Sequence, residues 1–202
     1  VSDSRRRPGR PVDPLVDGKV IAAALETYAV TGWQGFNIHQ VATTAKVGKA
    51  AIYSRWPTKE DLLVDALSRF DVDAATPDTG SLRDDFAAIV SDIIARTGHT
   101  TGFVSIRAQV EAKAYPGIFG AALVRWQESR ARAGRAIVAR AAVRGDVPPD
   151  VNASLVLDAL IGMTFNHILS LPEELLDDLR ADSRQYAASV ADFVLRGMSV
   201  GD

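Results

Sequence analysis

An all-α fold is what the sequence predicts, and three observations carry that expectation. Apolar residues recur at helical spacing in one segment after another along the 202 residues. Alternating runs of β-branched residues bounded by hairpin turns, the mark of strands, do not occur. Helix starts and stops are written into the chain as capping residues, glycine and proline.

The opening segment, residues 1–14, holds Pro8, Pro11 and Pro14 with a cluster of arginines and reads as a basic flexible arm. Val20, Ile21, Ala24, Leu25, Tyr28 and Ala29 then form one apolar stripe of a first helix, stopped at Gly32, which can take a left-handed backbone. Asn37 opens a second helix, with Gln40 three residues later as a capping box and Ile38, Val41, Ala42 and Ala45 as the buried face. A short turn leads to a third helix from Lys49 to about Arg55, anchored by Ile52 and Tyr53 and ended by Pro57. Thr58 with Asp61 caps a fourth, whose apolar face is Leu62, Leu63, Ala66, Leu67 and Phe70.

The turn-rich stretch at residues 73–80 divides the chain into a smaller N-terminal module, 15–72, and a larger helical body, 73–202. Five more helices are expected at about 81–96, 103–114, 117–144, 149–169 and 172–198, for about nine in all. Leu82, Phe86, Ile89, Val90, Ile93 and Ile94 show the helical period in the first of these, and Leu175, Leu179, Tyr186, Val190 and Phe193 in the last.

Composition narrows the function. With 47% apolar and 24% charged residues the chain has the makings of a globular core. The absence of cysteine excludes disulfides, thiolate metal sites and a cysteine nucleophile. No stretch of 18 consecutive apolar residues occurs, and no apolar segment follows the N-terminal arginines, so a soluble, cytoplasmic protein is expected. His39, His99 and His167 are scattered without metal-ligand spacing, and no phosphate-loop, dinucleotide, zinc-protease or nucleophile-elbow motif is present; neither an enzyme nor a cofactor nor a metal is expected. The net charge of −2 conceals an asymmetry: residues 1–60 carry nine Lys/Arg against five Asp/Glu, a balance of +4, and the remainder stands at −6. A basic module that meets a polyanion, joined to an acidic body that does not, is the simplest reading.

A helix of eight residues, a turn and a short second helix with small and polar outer side chains describe a helix-turn-helix. The stretch Val41-Ala42-Thr43-Thr44-Ala45-Lys46-Val47-Gly48-Lys49-Ala50-Ala51-Ile52-Tyr53-Ser54-Arg55-Trp56-Pro57-Thr58-Lys59-Glu60-Asp61-Leu62-Leu63 resembles the N-terminal domain of the TetR family of transcriptional regulators in order, spacing and position. Two residues depart from that family's pattern. Lys46 stands where the turn glycine is usual, at a cost of roughly 1 kcal/mol if the site is left-handed. Gly48 replaces the usual serine that opens the recognition helix.

The resemblance implies an N-terminal three-helix helix-turn-helix DNA-binding domain plus a helical-bundle domain that binds a small molecule and forms a homodimer on a palindromic operator. It places Lys49, Ala50 and Ala51 near base edges, where a lysine suits guanine O6/N7 and alanine methyls suit thymine methyls. Thr44, Lys46, Gly48, Tyr53, Arg55 and Lys59 fall near the phosphates, which fix register. Taken singly, each lysine reads equally as a solvated surface charge and Tyr53 as a half-buried core residue. The arm, with Arg7 and Arg10 around a Gly-Arg-Pro core, resembles an AT-hook suited to a narrow minor groove, or is a soluble tail. In the second half, Phe103, Ile106, Gln109, Val110, Phe119, Leu123, Trp126 and Phe165 are candidates for a largely apolar effector pocket or for plain core. Leu155, Ala159, Met163, Tyr186, Val190 and Phe193 are candidates for the dimer face or for the core of one subunit. His167 reads as a histidine satisfied near a helix end, and the arginines of 117–144 as a solvated face pairing with Asp177, Asp178 and Asp182. The expected mechanism is a repressor released from its operator by a ligand. The alternative is a helical small-molecule binder or scaffold without DNA, which leaves the basic arm and the Thr44, Tyr53 and Lys59 constellation without a shared reason.

Overall fold

A computed structural model describes residues 14–70 and 76–198. Every regular element among them is helical: α1 (Pro14–Gly35), α2 (Ile38–Ala45), α3 (Lys49–Tyr53), α4 (Lys59–Phe70), α5 (Leu82–Arg96), α6 (Val104–Ala114), α7 (Pro116–Arg144), α8 (Ala153–Ser170), α9 (Glu173–Ala181) and α10 (Ser183–Met198), with a 3-10 turn at Thr100–Phe103. The chain divides into two compact units, and the division falls inside α4, between Ala66 and Leu67.

In the first unit the caps form as the sequence predicts. Asn37 Oδ1 accepts from the Gln40 amide at 2.9 Å, and Gln40 Oε1 accepts from Asn37 Nδ2 at 2.9 Å, so the second half of the box closes side chain to side chain. Thr58 and Asp61 make the full reciprocal box: Asp61 N donates to Thr58 Oγ1, and Thr58 N to Asp61 Oδ2, both at 3.1 Å. Gly32 does break the first helix, at φ 63° and ψ −175°, a conformation essentially restricted to glycine. One further turn, through Trp33 to Gly35, follows the break and turns Trp33 and Phe36 into the core. Tyr28, Phe36, Val41, Ile52, Leu62, Leu63 and Ala66 are almost wholly buried, so all four helices contribute to one apolar centre.

The second unit is built around α5. Leu82, Phe86, Val90 and Ile94, spaced by four, are buried against Val190, Ala191 and Val194 of α10 and Val156, Leu160 and Ile168 of α8. Helices α7 and α8 close tightly at Gly134, where a Cβ would lie 2.0 Å from Leu157 Cδ1. Asp85, fully buried in the first turn of α5, accepts from Thr79 N and Thr79 Oγ1, each at 2.8 Å, and ties down the segment that leads into the helix.

Two boundaries differ from expectation. The helix expected from residue 149 begins at Ala153, because Asn152 takes the cap: its Oδ1 accepts from Ser154 N and Leu155 N. The single helix expected over 172–198 is two, α9 and α10, broken at Asp182 with φ −136° and ψ 74°. With the 3-10 turn this makes eleven helical segments among the described residues, against the nine or so expected. Helix α8, at 18 residues and mean hydropathy 1.3, is long and apolar enough to match a membrane span by length and composition. It carries Asp158 and His167, and its Val156–Leu160–Thr164–Ile168 edge is core.

Candidate functional site

The surface made by α2, the turn and α3 is set by local chemistry. At the end of α2, Lys46 N donates to Thr43 O (3.2 Å) and Val47 N to Ala42 O (3.0 Å), the paired bonds of a left-handed helix stop. Lys46 itself sits at φ 57° and ψ 41°, the one positive-φ residue other than glycine among the described residues. Lysine thus occupies a left-handed position that favours glycine, and its side chain carries the strain. Gly48 at φ −66° and ψ 139° then opens α3 with no side-chain cap.

Ile52 is fully buried and holds α3 down by its inner face, leaving the outer face clear. Lys49 and Ala50 are exposed and Ala51 partly so, while Tyr53 is half exposed at the end of the same helix. Thr44, Lys46 and Gly48 are exposed along the rim. Lys49 has no hydrogen bond or ion pair among the described residues, so its ammonium is available to an incoming acceptor.

Two predicted phosphate contacts have other work. Arg55 is not at the surface: its guanidinium pairs with Asp17 of α1, both side chains are mostly buried, and its Nη1 donates to Ala51 O at 2.9 Å. Its charge is spent on clamping α3 to α1, which corrects the expectation that it faces the backbone of DNA. Lys59 points back along the molecule. Its Nζ lies 3.9 Å above the Trp33 ring and donates to Phe36 O at 3.2 Å, fastening the start of α4 to the turn after α1. Trp56 completes this frame by donating Nε1–H to Asp65 Oδ2 at 2.9 Å. No sequence periodicity shows the Arg55–Asp17 pair, because the partners lie 38 positions apart on different helices. Arg7 and Arg10 lie outside the described residues.

The second unit holds two larger cavities. One of about 150 Å³ lies among α5, α7 and α8, and another of about 540 Å³ opens between α6, α7 and α8. Phe165 lines both, Ile106 and Gln109 line the larger one, and Phe119 and Leu123 line a small crevice of about 20 Å³ beside Phe70 and Val104. Phe103 instead packs on the apolar core. Val110 faces solvent, 65% exposed, because α6 turns Ala108 and Ala112 inward; its assignment to a pocket is corrected. The side chain of Trp126 lies outside the described residues. Periodicity did not single out Arg130, Leu157 and Ile161, which line both of the larger cavities.

On α8 and α10, Leu155 and Phe193 are 65% and 60% exposed, large apolar groups left in water. Val190 is buried, and Ala159, Met163 and Tyr186, each partly buried, pack on that same core. Tyr186 donates to Met163 O at 3.4 Å, and burial pushes its hydroxyl above the usual tyrosine pKa. His167 stacks on Tyr186 at 4.3 Å between ring centroids. The α7 arginines do pair with acids, but with Asp78 for Arg140 and Asp146 for Arg144 rather than with Asp177, Asp178 and Asp182.

A four-helix head whose third helix offers an unsatisfied lysine beside small side chains, joined to a helical body with cavities, defines a DNA-binding transcriptional regulator of the helix-turn-helix type. Residues 20–66 match the family profile described as bacterial regulatory proteins, tetR family, and residues 76–194 match the tetracyclin repressor-like C-terminal domain. The chain belongs to the TetR family. The HTH-type transcriptional regulator AqdR of Rhodococcus erythropolis is 27% identical over 154 residues, covering 76% of this chain and 74% of that one. Among solved structures, the fatty acid degradation regulator FadR from Bacillus halodurans superposes with a TM-score of 0.69 at 15% identity, over 94% of this chain and 99% of that one. FadR from Bacillus subtilis in complex with stearoyl-CoA gives 0.62 at 16% identity, over 92% and 98%. At these identities the structural matches establish the shared fold. The relatives and family profiles are regulators, not enzymes.

Proposed function

We propose that the protein is a homodimeric repressor that binds a palindromic operator in the cytoplasm and leaves it when a largely apolar small molecule enters the second unit. The observation that carries the reading is the outer face of α3, where Lys49, Ala50 and Ala51 stand clear of the core while Ile52 anchors the helix. Lys49 reads a guanine, the alanine methyls meet thymine methyls, and Thr44, Lys46 and Tyr53 fix register on phosphates. The arm at residues 1–14 follows the minor groove through Arg7 and Arg10. One five-residue helix reads few base pairs, so a two-fold dimer is needed to double the readout. Leu155 and Phe193 supply the apolar contacts of that dimer. The DNA-binding part extends to about residue 72, and α4 carries the ligand's effect by changing the separation of the two recognition helices.

A gel-shift with the DNA flanking the protein's own gene tests the proposal. A sequence-specific shift at moderate salt is expected, lost in Lys49→Ala combined with Tyr53→Ala. Deleting residues 1–11 is expected to flatten the dependence of log K on log[salt]. No specific shift from the intact chain would overturn operator binding, and an unchanged slope would remove the arm from the phosphates.

A further inference from the structure

Helix α3 has five residues, too few to hold a helix by itself in water. Its first turn has no side-chain cap, because glycine stands at the N-cap, Gly48. Side chains instead grip it at the other end, on one carbonyl: Ala51 O accepts from Ser54 Oγ and from Arg55 Nη1, each at 2.9 Å. The serine bond is local, whereas the guanidinium runs on to Asp17 in the first turn of α1. We propose that Asp17 and Arg55 are positioning residues for base readout, setting the angle of α3 and with it the aim of Lys49, Ala50 and Ala51. The proposal rests on the operator-binding reading and goes beyond it by assigning specificity to two residues that make no contact with DNA.

Ile52, fully buried, fixes how deep α3 lies, but a single apolar anchor leaves a short helix free to tilt about it. Trp56 ties the chain beyond the helix to α4, donating to Asp65 Oδ2 at 2.9 Å. Arg55 ties a carbonyl of the helix itself to α1. It does so with two different nitrogens, Nη1 on Ala51 O and Nε on Asp17, so one planar group sets direction as well as distance. The side chains of the pair are only 18% and 21% exposed, which shields it from the screening that makes surface pairs weak. Over the roughly 6 Å from Tyr53 to Lys49, a tilt of about 10° displaces the lysine backbone by about 1 Å, beyond the tolerance of a positioned polar contact. Charge alone predicts the opposite outcome for one variant. Asp17→Asn removes a negative charge from the DNA-binding unit and would tighten binding to a polyanion, so weaker specific binding in that variant reports geometry.

Fluorescence anisotropy of the full chain on the DNA flanking its own gene, and on a shuffled duplex of equal length and composition, gives a specificity ratio. Asp17→Asn and Arg55→Gln are each expected to lower that ratio about tenfold, the size of a compromised base contact. The double variant should be no worse than either single one, and Asp17→Glu, which keeps the carboxylate, should retain most of the ratio. The slope of log K on log[salt] for the shuffled duplex should be unchanged in Arg55→Gln; a guanidinium that met phosphates would lower it by about 1.8 across a dimer. Leu25→Val, a core change on α1 that leaves the pair intact, should lower Tm and spare the ratio, separating stability from aim. Circular dichroism should show native helix content in every variant. An unchanged ratio in Asp17→Asn, an equal fall in Leu25→Val, a lowered slope in Arg55→Gln, or unfolding of both pair variants overturns the proposal and leaves operator binding standing. A ratio near one for the native chain overturns operator binding and this inference with it.

Discussion

Replacing Lys46 by glycine should stabilise the DNA-binding unit and weaken its DNA complex at the same time. Lys46 is held at φ 57° and ψ 41° by the bonds that end α2, and a side chain there costs about 1–2 kcal/mol that glycine does not incur. Glycine gives back roughly 0.5–1 kcal/mol through the greater freedom of the unfolded chain. The net gain at mid-range is about 0.75 kcal/mol, within bounds of about 0 and 1.5 kcal/mol. That mid-range value corresponds to roughly 3–6 °C in Tm if the unit melts alone and about half as much if the whole chain melts together. Scanning calorimetry reads the shift directly. Lys46→Ala is the control, since it removes the charge but keeps the Cβ and with it the strain, and it should show no such gain. Against operator DNA the two variants should behave alike, each lowering the slope of log K on log[salt] by about 1.8 if the ammonium of each subunit of the dimer neutralises one phosphate. A glycine variant no more stable than the alanine variant would refute the strain assigned to this turn, whatever happened to DNA binding.

Other perturbations test the frame around the site. Arg55→Ala and Asp17→Asn should each destabilise the first unit by about 1–3 kcal/mol in urea titrations, with the double variant little worse than the poorer single one; simple additivity would show that the pair is not coupled. The bidentate bonds from Arg83 hold the Asp192 carboxyl below the usual aspartate pKa and join α5 to α10. Because the folded-state pKa is the lower one, the stability it contributes is complete above the ordinary aspartate pKa and is lost as pH falls through the folded value. Asp192→Asn should thus be less stable than the native chain at neutral pH and converge with it in acid. Leu155→Glu with Phe193→Glu should yield a monomer by light scattering, with the helix content of the native chain, if these residues form the dimer contact.

What was legible in the sequence was what is local. Asn37 with Gln40, Thr58 with Asp61, and the break at Gly32 each act over three or four residues, so pattern and structure agree there. The four-residue spacing of Leu82, Phe86, Val90 and Ile94 marked a buried stripe for the same reason. The break at Asp182 escaped because residues on either side keep an apolar period, and a backbone departure at one aspartate leaves that period nearly intact. The cavity walls escaped for a different reason. They gather Ile89, Arg130, Leu157 and Phe165 from three helices, and Arg130 was legible only as one of six arginines along α7.

The charge of the first sixty residues shows how structure alters a sum. A balance of +4 suggests a broadly basic DNA face, but the count does not say where each cation goes. Asp17 neutralises Arg55 inside the unit, and the Lys59 ammonium is engaged by the Phe36 carbonyl and the Trp33 ring. On the α2–α3 surface this leaves Lys46 and Lys49, and the proposed docking gives Lys49 a base edge rather than a phosphate. A head with so little charge committed to phosphates draws little affinity from counterion release by itself. On that reading most of the salt dependence of the complex is expected to come from the four arginines of residues 1–14, so deleting residues 1–11 should flatten the slope more than Lys46→Ala does.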